Sequence, residues 1–118
     1  MTEMLFTSDV IEVDDAIQAI ELYAERGWTD GLPIVPPTEP LVARFVETLN
    51  TAPDTVLGVE PTKGAVITAE KAAINAVMAG CRPEYMPVLA AAIDAITAPE
   101  FGLHGISVST MGAAVLLI

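Results

Sequence analysis

The chain has 118 residues, enough for one domain with a modest core, and 53% of them are apolar while only 5% are aromatic. Sixteen acidic against five basic side chains give a net charge of -11, which argues against a nucleic-acid partner and against a basic membrane-surface helix. The apolar content is mostly Ala, Val, Ile and Leu, so the mean hydropathy of +0.54 predicts close helix packing and buried strands.

Residues 1–12 read as irregular or weakly extended. Asp14 and Asp15 open a helix predicted from Asp14 to Arg26, with Ile17, Ile20, Leu22 and Ala24 at helical spacing and Gly27 at its end. Trp28-Thr29-Asp30-Gly31 is a turn. Leu32 to Pro37 must be extended, because each proline fixes its own φ and moves the residue before it out of the helical region. Thr38 is a good N-cap for a helix reaching about Asn50 and burying Leu41, Val42, Phe45, Val46 and Leu49.

After a loop at 51–54, Thr55 to Val59 reads as a strand and 60–64 as a second loop. Thr68 caps a helix over Ala69 to Ala79, and Gly80 stops it. A second Ala-rich helix is predicted from Glu84 to Ala98, starting late enough for Pro87 to fall in its first turn, and Pro99 closes it. Phe101 to Ser109 and Gly112 to Ile118 are strand candidates. The order predicts an α/β or α+β layered single domain, with the two Ala-rich helices enclosed between layers on a small sheet.

The segment Met86 to Ala98 contains Asp94 and is too short to span a bilayer, and the N-terminus lacks a secretory pattern. A lone cysteine forms no internal disulfide, and a cytoplasmic protein is expected. The run Ala113 to Ile118 ends the sequence without a polar residue. Such a strand is expected to pair with its own sheet, with the rest of a longer protein, or with another chain. A second protein chain or a homo-oligomer is therefore the expected partner.

Chemistry is concentrated between the Ala-rich helices. Cys81 is a candidate nucleophile or redox thiol, because a nearby cation activates a thiolate and Arg82 adjoins it. The helix ending at Gly80 opposes this, since its carbonyl end carries partial negative charge. The alternative is a cysteine that only packs. His104 is a candidate proton-transfer partner if it meets Cys81, or a histidine bonded to backbone. Asn75, Arg82 and Tyr85 are candidate substrate-binding residues, and Arg82 suits an anionic group. Lys71, Asn75 and Met78 share one helical stripe, which either lines the site or faces solvent. Asp30 begins a rigid loop that can line a pocket.

No metal is expected, because one Cys and one His lack ligand spacing, and no cofactor is indicated. The region 58–64 lacks the glycine and lysine spacing of a phosphate-binding loop. Ser107, Ser109 and Thr110 form no nucleophile elbow.

The strings Asp30-Gly31-Leu32-Pro33-Ile34-Val35-Pro36-Pro37-Thr38 and Asn75-Ala76-Val77-Met78-Ala79-Gly80-Cys81-Arg82-Pro83-Glu84-Tyr85 resemble motifs of a poorly characterised bacterial family associated with selenoproteins carrying a U-G-S-C motif. The resemblance spans roughly Trp28 to Ile118. It implies a polypeptide that continues past this point, thiol or redox chemistry, and work beside a second thiol- or selenol-bearing protein. This chain carries no such second motif, so a site here would be incomplete. Two functions are therefore expected: part of a bacterial enzyme acting on a small carboxylate or organosulfur compound through Cys81, or a non-catalytic subunit in which Cys81 packs.

Overall fold

The structure is a computed structural model that describes residues 4–107. After a non-helical segment, the first helix closes its first turn with its own side chains. In α1 (Ala16–Glu25) the Asp15 carboxylate accepts from the Gln18 N–H at 2.8 Å, and the Gln18 side chain accepts from Asp14 N–H. Its other end is a Schellman turn. Gly27 takes φ 69, its N–H donates to Ala24 O, and Trp28 N–H reaches back to Tyr23 O.

The extended arm 32–37 leads into α2 (Glu39–Glu47), with Pro40 in the first turn. Thr38 caps it through its backbone geometry, without a side-chain hydrogen bond. The helix stops three residues before the predicted end at Asn50. Thr48, Leu49 and Asn50 bond to carbonyls three residues back in a tightened final turn, and Asn50 enters the left-handed region at φ 53.

Strand β1 (Val56–Val59) pairs antiparallel with β2 (Val66–Thr68). The sequence reading missed β2, which is only three residues long. The register slips between Val56 and Gly58, leaving Leu57 as a bulge, and the bulged strand turns toward the helices. From Thr68 the chain passes directly into α3 (Ala69–Met78). Its first N–H groups are all used: Ala69 to Thr55 O, Glu70 to Pro53 O, and Lys71 to the Thr68 hydroxyl. A short helical turn at Pro83–Tyr85 then precedes α4 (Met86–Thr97), which holds Pro87 in its first turn as anticipated.

A second turn, Pro99–Phe101, leads into α5 (Leu103–Ser107). This corrects the strand reading of Phe101 to Ser109. Pro99 starts a helical turn, Gly102 adopts φ 68, and the chain resumes as helix. Residues 108 and 109, and the strand candidate Gly112 to Ile118, lie outside the described residues.

The core is built on α3, whose positions 69, 72, 73, 76 and 77 are buried as one broad stripe. Val42, Phe45 and Val46 of α2 meet this stripe, and Met86 and Ile93 of α4 complete the cluster. Leu57 and Ile67 of the hairpin pack against it. The architecture is α+β, with five helices and one two-stranded sheet among the described residues. The expectation that both Ala-rich helices are enclosed fails for α4. That helix buries Met86 and Ile93 while Pro87, Val88, Ala91, Asp94 and Ala95 stand exposed. Alanine signals helix propensity as much as burial, so an Ala-rich helix is not thereby an enclosed one.

Candidate functional site: the turn at Cys81

The junction between α3 and α4 is a second Schellman turn. Gly80, at φ 79, donates its N–H to Val77 O at 2.9 Å, and Cys81 donates to Ala76 O at 3.0 Å. In this motif the residue after the left-handed glycine commonly makes an apolar contact with the last turn of the helix. Cys81 and Ala76 occupy those two positions, and both line one pocket of about 240 Å³ with Tyr85, Met86, Val88 and Leu89. Cys81 is half-buried and belongs to no disulfide. Besides the thiol, the only polar side chain in the lining among the described residues is Tyr85, which is 53% exposed.

The other candidate residues stand apart from this pocket. Asn75 lies on the exposed face of α3 and donates its Nδ2–H to Lys71 O at 2.8 Å. The stripe Lys71–Asn75 thus faces solvent, while Met78 is half-buried. Arg82 is exposed and begins the turn into α4. Asp30 is exposed and accepts from the Leu32 N–H at 3.0 Å, which makes it a turn-forming side chain. His104 is exposed on α5. It is not among the residues lining the Cys81 pocket. Among the described residues, no three His, Cys, Asp or Glu side chains gather in a metal-ligating group.

The structure does join the two distinctive strings of the sequence. Val35, in the extended arm, donates its N–H to Met78 O at 3.2 Å, occupying a carbonyl in the last turn of α3. The prolines around Val35 keep the arm extended so that it can make this bond. A second surface feature lies at the start of the arm. Trp28 meets Tyr23 edge to face at 5.2 Å between ring centroids, and the Arg26 guanidinium sits 5.0 Å from the Trp28 ring centroid.

Sequence reasoning missed the pocket's apolar walls, Ala76, Met86, Val88 and Leu89. The signal for them was the helix-ending Gly80 followed at once by a small apolar residue. Among the described residues two carboxylates have perturbed acidity, and neither lines the pocket. Backbone N–H groups of Lys63 and Thr62 bond to Glu60 and lower its pKa. Burial pushes Glu70 upward, but hydrogen bonds from Ser8 and Thr7 outweigh it, and the net shift is downward.

Among the described residues no single helix is long and apolar enough to cross a membrane; only Pro83–Thr97 and Pro99–Gly105 taken together reach that length, bent by 71°. Comparison with protein-family models, with curated proteins and with solved structures returned no match.

Proposed function

We propose that this chain is a non-catalytic component of a cytoplasmic hetero-oligomeric complex, and that the pocket face of α4 packs against a second, different protein chain. One observation carries the reading: the pocket beside Cys81 is lined by apolar groups, while Asn75, Arg82, Asp30 and His104 all stand outside it. Val88, 57% exposed, and Tyr85 leave that face uncovered among the described residues. An exposed apolar side chain beside a concave apolar wall suits a protein interface, where anchor side chains fill such pockets. The partner is read as a different chain because two copies at a net charge of -11 repel each other. Glu84, Asp94 and Glu100 stand exposed along this stretch against the single cation Arg82, so a partner with an apolar centre and a basic rim is complementary.

A second reading has its own support. Cys81 is half-buried at the pocket and not sealed in the core, so a small molecule reaches it. In that reading the chain is part of a bacterial enzyme, Cys81 is its nucleophile or redox thiol, and the partner supplies the missing acid–base group. The resemblance to the U-G-S-C-associated family favours this version.

Native mass spectrometry of the complex purified from its own organism, with Val88→Asp and Cys81→Ala variants, separates the two. The interface reading expects a complex with a second chain that Val88→Asp abolishes while the isolated chain remains folded. It also expects Cys81→Ala to keep both complex and activity. A complex indifferent to Val88→Asp, or a chain found only as copies of itself, refutes it. An intact complex that loses activity on Cys81→Ala establishes the thiol reading.

A further inference from the structure

Glu70 is the one charged side chain buried among the described residues, at 2% exposure. Its carboxylate is wholly committed to the N-terminal segment. Oε1 accepts from Thr7 N–H at 3.0 Å and Ser8 N–H at 2.9 Å. Oε2 accepts from the Thr7 hydroxyl at 2.9 Å and from Thr7 N–H at 3.2 Å. No backbone–backbone hydrogen bond among the described residues joins 4–14 to the body of the domain. The remaining attachment is apolar: Met4 and Phe6 are half-buried against the core cluster, while Leu5, Asp9 and Val10 are exposed. The alternation is that of an extended segment laid over the core with one face inward.

We propose that residues 4–10 are a detachable strap whose catch is the Glu70 carboxylate, so that loss of that carboxylate's charge releases the segment and bares the core surface beneath Met4 and Phe6. The chemistry of the contact makes it a switch. Every group facing the two oxygens is a donor, and an ionised carboxylate accepts from all of them. A protonated carboxyl would point its own O–H at a donor, and one oxygen would lose its bonds. The charged residues on the segments that meet here, Asp9 on the strap, Asp54 in the loop before β1 and Lys71 on α3, are exposed. Glu70 is thus the buried charge at the contact. The lowered Glu70 pKa agrees in sign: the closed form is favoured above the ordinary glutamate value of 4.5 and weakens as pH falls through the lowered one.

The test is amide hydrogen exchange by NMR on the full chain, comparing wild type with Glu70→Gln and Ser8→Pro. Ser8→Pro removes one donor from an exposed position and leaves the carboxylate in place, so it keeps the test informative if Glu70→Gln fails to fold. The expected result is exchange faster by roughly tenfold to hundredfold at the Thr7 amide in both variants and at the Ser8 amide in Glu70→Gln, the equivalent of one hydrogen bond to a charged group. Exchange in α2 and α3 should stay as in wild type. In an acid titration the Thr7 and Ser8 amide shifts should move together, ahead of any change in α3. Unchanged exchange at the Thr7 amide in the variants, and at the Ser8 amide in Glu70→Gln, overturns the proposal, since the carboxylate would then not be the catch. Loss of protection in α2 and α3 along with the strap in Ser8→Pro also overturns it, because the segment would be an integral part of the fold.

Discussion

Gly58→Ala tests how tightly the hairpin is seated on α4. Gly58 lies in β1 beside the bulge, and a Cβ placed there would stand 2.6 Å from Thr97 Oγ1, 3.0 Å from Thr97 Cγ2 and 3.1 Å from Ile93 Cγ2. Thr97 has little room to yield. Its hydroxyl donates to Ile93 O at 2.7 Å, and its β-branch means that rotation brings another substituent toward the strand. Two effects compete. Alanine reduces the freedom of the unfolded chain, which stabilises by about 0.4–1 kcal/mol where the backbone accepts it. Overpacking against an ordered helix costs about 1–3 kcal/mol, and a displaced Thr97 hydroxyl forfeits about 1 kcal/mol more. The net expectation is a loss of about 1–3.5 kcal/mol, read by urea denaturation or as a fall in Tm of about 4–8 °C per kcal/mol. Thr97→Ala removes the two closest atoms, so the double variant should recover at least half of the loss, a coupling measured by a double-mutant cycle. A neutral or stabilising Gly58→Ala, or a Thr97→Ala background that gives no relief, would refute the close approach of β1 and α4.

Met86 is 1% exposed at the centre of the cluster joining α2, α3 and α4, so Met86→Ala should cost about 2–5 kcal/mol in denaturant unfolding; a loss below about 1 kcal/mol would place that side chain outside the core. Gly80→Ala meets no atom within 4 Å, yet its φ of 79 strains an L-residue, so a loss of about 1–2 kcal/mol in thermal unfolding is expected from backbone conformation alone. Both perturbed carboxylates are lowered from 4.5, so each contributes stability that is present above that value and lost as pH falls through the lowered one. Denaturation followed from about pH 7 to about pH 3 should show a plateau and then an acid-side decline. Glu70→Gln should shallow that decline, and a flat profile in wild type would contradict the bonding of both residues.

How much was legible in the sequence differs from element to element. Helix starts at Asp15 and Thr68, the stops at Gly27 and Gly80, and the extended arm 32–37 were readable, because capping side chains, left-handed glycines and prolines act on their immediate neighbours. The face that α2 buries was equally plain, since its spacing admits one stripe. The candidate site fared differently. Cys81, Arg82 and Tyr85 are neighbours in sequence, but the Schellman turn sends the thiol to an apolar pocket and leaves the guanidinium exposed.

By itself, then, the sequence determined where helices begin and end, because those choices are made over one turn of chain by local hydrogen bonds and fixed φ angles. Only the tertiary structure decided which long-range groups meet. It placed His104 on a helix and not on a strand, set β1 against Thr97, bonded Val35 to Met78, and committed Glu70 to Thr7 and Ser8. Those pairings depend on how the elements pack, and periodicity or composition along a single segment carries no term for them.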